Sequence, residues 1–170
     1  MIVTLEGFMG CGKSSIGREL AKLTGWEAFD LDSYIVFRQS RSIADIFAAE
    51  GEARFREIET ACLKDLLEQY EGENLIIALG GGAPLLNADL LKEKTCCIWL
   101  RASYETILRH IGNSDPTRPL YNGDIQARME QRAPIYASAA HHIIDVDGRN
   151  AASVAQEILK LICENGSQRG

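Results

Sequence analysis

Gly7-Phe8-Met9-Gly10-Cys11-Gly12-Lys13-Ser14 is the stretch that decides the reading of this chain. It satisfies G-x-x-x-x-G-K-[ST], a glycine-rich turn that wraps backbone N–H groups around a phosphate at the positive N-terminus of a helix. The flanks agree. Residues 2–5 (Ile-Val-Thr-Leu) predict a buried strand, and residues 14–23 predict a helix. Gly10, Cys11, Gly12 and Ser15 would then surround the phosphates. Lys13 would reach the β- and γ-phosphates, and the Ser14 hydroxyl would ligate Mg²⁺. A glycine turn without a ligand is set aside on the specificity of the full motif. The dinucleotide fingerprint fails because Ser15 stands where its third glycine is needed. The stretch predicts a nucleoside-triphosphate site.

Outward from it, short apolar runs alternate with amphipathic segments. Further strands are predicted over 27–29, 75–79, 96–100 and 143–146. Helices are predicted over 32–38, 42–50, 52–70, 103–111 and 125–132, the last ended near Pro134. A final helix carries Val154, Ile158, Leu161 and Ile162 and frays after Asn165. Phe55, Ile58, Cys62 and Leu66 share one stripe of the 52–70 helix. This alternation predicts an α/β fold, a parallel sheet of about five strands with helices on both faces. The turn-rich residues 112–124 are long enough to act as a mobile lid. No linker or repeat divides residues 1–170, so one domain is expected.

Composition narrows the function. At 170 residues, 46% hydrophobic and 25% charged, the chain can bury a core of its own, which excludes wholesale disorder. A net charge of −6 opposes nucleic acid and anionic membranes as partners. Yet the 12 Arg outnumber the 6 Lys, favouring the side chain that grips carboxylate and phosphate with two bonds. The Cys at 11, 62, 96, 97 and 163 are odd in number and lack zinc or C-x-x-C spacing. They predict reduced, mostly buried thiols in a cytoplasmic protein. His141-His142 have no metal-ligand spacing and read as structural. The first apolar run stops at Glu6, too short for a signal peptide, and none approaches a membrane span. A monomer is expected, since no heptad or long apolar patch asks for a partner.

A GTP switch would need N-K-x-D, which is missing from the sequence. A transferase needs a second pocket that aligns an acceptor hydroxyl with the γ-phosphate. Candidates follow in order. Asp30 and Asp32 close the second strand: Asp30 can hold Mg²⁺ through water, while Asp32 can orient a hydroxyl or simply cap the next helix. Arg56 and Glu59 are i,i+3 neighbours, so Glu59 can aim the guanidinium, although such a pair alone reads as an ordinary surface contact. Gly80-Gly81-Gly82 permit close approach to a ligand. Arg132 sits at the predicted helix end, where it also complements the dipole. Arg118, in the 112–124 stretch, can swing onto a transferring phosphoryl group, or be a solvated loop residue.

GFMGCGKSSIG (7–17), FDLD (29–32), FRxxE (55–59), LGGGA (79–83), TRPL (117–120) and RAPIY (132–136) occur in this order. In these six motifs the chain resembles the shikimate kinases, small P-loop kinases of aromatic amino acid biosynthesis, from Gly7 to about Asn150. The resemblance implies ATP-dependent phosphorylation of the shikimate 3-hydroxyl with Mg²⁺. It assigns Asp30 to the metal and Asp32 to the shikimate hydroxyls and the attacking oxygen. Arg56 and Arg132 would clamp the shikimate carboxylate beside Gly80, Gly81 and Gly82. Arg118 becomes the lid arginine, and Arg149-Asn150 fall at the adenine loop. Arg109 or His110 occupies the place of an adenine-stacking arginine, and the sequence leaves that choice open. A gluconate or nucleoside monophosphate kinase is disfavoured by FRxxE together with the glycine run and RAPIY. A non-catalytic ATP-binding module is disfavoured by the intact Lys13, Asp30, Asp32 and Arg118.

Overall fold

Side chains branched at Cβ pack well on a pleated surface covered on both faces, and the Ile- and Val-rich runs become strands accordingly. The computed structural model describes residues 1–112 and 124–167. Along the chain lie β1 (Ile2–Glu6), α1 (Lys13–Thr24), β2 (Glu27–Asp30), α2 (Leu31–Gln39), α3 (Ile43–Gln69) and β3 (Leu75–Ala78). They are followed by α4 (Pro84–Lys94), β4 (Cys96–Arg101), α5 (Tyr104–Gly112), α6 (Ile125–Ala139), β5 (His142–Asp145) and α7 (Ala151–Ser167). The five strands are parallel in the order β2-β3-β1-β4-β5, as the α/β reading requires.

Two cores sandwich the sheet. One gathers Ile16 and Leu20 of α1, Ile107 of α5 and Val154 and Ile158 of α7 against Val3, Leu5, Ile76 and Ile98. The other gathers Leu31, Ile46, Phe55, Ile58, Cys62, Leu66 and Leu91 against Leu75, Ile77 and Cys97. Among the described residues no helix is long and apolar enough to cross a membrane.

The predicted helices 42–50 and 52–70 meet, as expected, at a kink inside α3, where Gly51 leaves helical backbone (φ 81°). Two differences from the sequence reading have physical causes. Helix α4 has no predicted counterpart; its leucines point all round, with Leu91 buried and Leu86 exposed, so no stripe announces it. Pro84 at its start was the available signal. Helix α6 does not end near Pro134 but continues to Ala139. Pro134 removes one helical bond, at a cost of roughly 3 kcal/mol. Burial of Tyr136 and Ala139, worth roughly 2 kcal/mol for a large side chain, and packing on α4 offset it.

The chain leaves β1 for β2 on one side and later places β4 on the other. In such sheets the crevice beyond the carboxyl ends of the central strands is the natural ligand site.

Candidate active site

A cleft of about 640 Å³ opens there, lined by the loops after β1, β2 and β3 and by α3 and α6. At one end Gly10 and Gly12 take left-handed backbone (φ 79° and 99°), which side chains rarely adopt, and curl the loop around the start of α1. No side chain caps α1, so its first N–H groups remain available to an anion. Lys13 is almost buried; its Nζ donates to the carbonyls of Gly7 (2.8 Å) and Phe8 (3.0 Å). The Ser14 hydroxyl donates to Asp30, whose other carboxylate oxygen accepts from the Ser33 N–H at 3.0 Å. Asp30 is therefore the cap of α2. The alternative capping role for Asp32 is corrected: it lies in the first turn and lines the cleft.

Toward α3 and α6 the cleft is framed by charge. Arg56 Nη1 donates to Glu59 at 2.6 Å, and both are buried, so the expectation for such a pair taken alone, a surface contact, is overturned. Burial pushes the Glu59 carboxyl up, Arg56 pulls it down, and the charge of Asp32 pushes it up further. Arg56 Nε and Glu59 Oε1 are buried without a hydrogen-bond partner. Arg132, expected at a helix end, lies buried inside α6; its Nη1 donates to the Gly81 carbonyl (3.3 Å), and its guanidinium sits over the Phe8 ring. The Tyr136 hydroxyl donates to the same carbonyl.

The glycine run makes this convergence possible. A Cβ on Gly80 would come within 2.9 Å of both Asp32 Oδ1 and Glu59 Oε1, and one on Gly82 would overlap the Arg56 guanidinium. The arrangement offers N–H groups and an ammonium to a phosphate chain, two guanidinium groups to a small anion, and a carboxylate between them.

Gly10, Gly12, Lys13, Ser14, Ser15, Asp30, Asp32, Arg56, Gly80, Gly81, Gly82 and Arg132 all line this cleft. Cys11 does not; it is buried in the loop. Arg149 does not line it either. It pairs with Glu157 at 2.6 Å and donates to the carbonyls of Asp145 and Ser153. His110 lines the cleft and contacts the Gly10 carbonyl, whereas Arg109 turns to Thr106. Arg118 and most of the 112–124 stretch lie outside the described residues. Sequence reasoning missed Arg18, one helical turn beyond Ser14, and Phe47, whose ring packs on Phe55. The i,i+4 spacing from Ser14 was the signal for Arg18.

Oxygen donors suit Mg²⁺, and the Ser14 hydroxyl with Asp30 provides two at the loop. Among the described residues no group of three or more His, Cys, Asp or Glu is placed to hold a metal. His141 instead accepts the Cys97 N–H at 3.2 Å, a structural use. None of the five cysteines is joined in a disulfide.

Comparison with known proteins adds an independent finding. A family model described as Shikimate kinase matches residues 9–163. The shikimate kinase of Moorella thermoacetica is 41% identical, over 92% of this chain and 91% of that protein. A shikimate kinase of Thermus thermophilus is 38% identical, over 99% and 93%. The solved shikimate kinase of Acinetobacter baumannii in complex with shikimate superposes with a TM-score of 0.89 at 34% identity, covering 96% of this chain and 93% of that one. A gluconokinase from Sinorhizobium meliloti, at 16% identity and TM-score 0.61, shares the fold alone.

Proposed function

The chain belongs to the shikimate kinase family, and from that premise we propose that it transfers the γ-phosphoryl group of ATP to the 3-hydroxyl of shikimate, giving shikimate 3-phosphate and ADP. One observation carries the acceptor side: the buried Arg56–Glu59 pair, with Arg56 Nε and Glu59 Oε1 unpartnered, beside Arg132 and the glycine run. Burying polar groups without partners is costly, and a small ligand bearing a carboxylate and hydroxyls repays it.

Phosphoryl transfer asks mainly for alignment and charge neutralisation. The Gly10–Gly12 backbone, Ser15 and Lys13 hold the phosphate chain, with Lys13 placed for the β- and γ-oxygens. Ser14 and Asp30 would hold Mg²⁺, which neutralises phosphate charge when bound. Arg56 and Arg132 grip the shikimate carboxylate as planar forks. That grip turns the ring so that a hydroxyl meets Asp32. Asp32 orients this hydroxyl first and takes its proton second, because a loose transition state needs little early proton removal. Arg118 enters as the arginine for the transferring group on the family resemblance alone. His110, at the Gly10 carbonyl, is the better placed of the two adenine candidates.

The deciding experiment is ADP release from purified protein supplied with ATP, Mg²⁺ and candidate acceptors. Release that depends on shikimate and Mg²⁺ is expected. Equal release with gluconate or a nucleoside monophosphate, or none with shikimate, would overturn the proposal.

A further inference from the structure

Glu6 is the last residue of β1 and directly precedes Gly7, yet none of the roles above uses it. Its side chain has no exposed surface, and among the described residues nothing stronger than the Cys97 thiol, a weak donor, reaches its carboxyl oxygens. An ionised carboxylate in such a place is costly. The groups that face it are the Lys13 ammonium of α1, the Cys97 thiol of β4 and the Tyr136 phenol of α6; Tyr136 in turn feels Arg132 and Cys11. Burial pushes the thiol and the phenol up, out of the physiological range. Glu6 itself is pushed up to about 8 by burial, with the Cys97 thiol first and Lys13 second pulling the other way.

We propose that Glu6 is a positioning residue for Lys13: held as the neutral acid under the glycine loop, it leaves the ammonium to a bound phosphate chain, and on ionising it draws that charge back. The geometry supports this. Lys13 Nζ rests on the carbonyls of Gly7 and Phe8, the two residues that follow Glu6 in the chain. Linkage is reciprocal, so a phosphate chain arriving at Lys13 must favour the protonated acid. Nucleotide binding near pH 8 then takes up part of a proton. This inference rests on reading the loop as a nucleotide site, and it concerns binding alone.

The test is calorimetric titration with MgADP from pH 6.5 to 9.5, in paired buffers of different ionisation enthalpy, for wild type, Glu6→Gln and Glu6→Leu. A one-unit displacement of the Glu6 constant would weaken wild-type binding about eightfold across this range and give uptake of about half a proton near pH 8.5. Both neutral variants should lose that extra pH dependence and that uptake. The same slope and uptake in a folded variant as in wild type would overturn the inference. Failure of MgADP to bind wild type at any pH would overturn the nucleotide reading itself, and this inference with it. The second variant keeps the test open should one of them not fold.

Discussion

Arg56 and Glu59, one turn apart on α3, form an ion pair at 2.6 Å with only 7% and 1% of their side chains exposed. Removing Glu59 leaves the buried Arg56 with only its longer contact to the half-exposed Glu52 (3.4 Å), so a cost toward the lower end of the roughly 3–5 kcal/mol for a broken buried pair is expected. Glu59→Ala should therefore lower the urea midpoint and raise the shikimate KM together. Arg56→Lys, which keeps the charge but loses the fork, should raise the shikimate KM about tenfold, equivalent to ~1.4 kcal/mol, and leave the ATP KM largely unchanged. An unchanged shikimate KM in Arg56→Lys would remove this residue from the clamp.

Gly82 is held against the Arg56 guanidinium. Gly82→Ala should push Arg56 out of line and reproduce much of the Arg56→Lys effect on shikimate, with ATP binding retained. Steady-state kinetics with each substrate varied in turn would show it; wild-type values for both KM would refute the packing argument.

Asp32 lines the cleft beside Glu59 at Gly80. Asp32→Asn keeps the shape and removes the charge, so kcat should fall by about 100-fold or more, in the range of a lost general base. Near wild-type kcat would end any catalytic role for this side chain.

Asp30 both caps α2 and contacts the Ser14 hydroxyl. Asn caps about as well as Asp, so Asp30→Asn should keep the thermal midpoint near wild type while raising the Mg²⁺ concentration needed for half-maximal rate. An unchanged Mg²⁺ requirement would dissociate Asp30 from the metal.

The raised constant of Glu6, from 4.5 to about 8, also has a stability consequence. The folded protein keeps a proton that the unfolded chain releases. This contribution is fully present below about pH 4.5 and is lost progressively as pH rises to about 8, by an amount on the order of 3–5 kcal/mol. Denaturant melts of Glu6→Gln should lack this decline and pull ahead of wild type as pH increases. Parallel curves from pH 5 to 8.5 would contradict the assignment.

Much of this was legible in the chain itself. The glycine loop, its strand and its helix are contiguous, so local spacing fixes their geometry. Five strands, the two-faced sheet and the stripe Phe55, Ile58, Cys62 and Leu66 follow from hydrophobic period, a local property. The Arg excess is read from composition, and part of it reappears as Arg18, Arg56 and Arg132 on one cleft. The sequence also supplies six motifs in family order, and those suffice to name the family.

Only tertiary packing decided the rest. Whether Arg56–Glu59 is a surface pair or a buried one depends on what α3 packs against, and no i,i+3 spacing records that. Pro134 says stop by local rule, yet Tyr136 and Ala139, buried against distant residues, carry α6 past it. The sequence offered Asp32 as the possible cap; the folded backbone gives that role to Asp30, whose carboxylate accepts the Ser33 N–H. Arg149 has suitable chemistry and family position; its contacts with Glu157 and the Asp145 carbonyl form only in the folded chain. Glu6 looked like the end of an apolar run; its significance lies in being buried with only a weak thiol partner, at the strand end next to the carbonyls that hold Lys13. Burial, orientation and charge compensation are sums over neighbours far apart in the chain, and they exist only once the chain has folded.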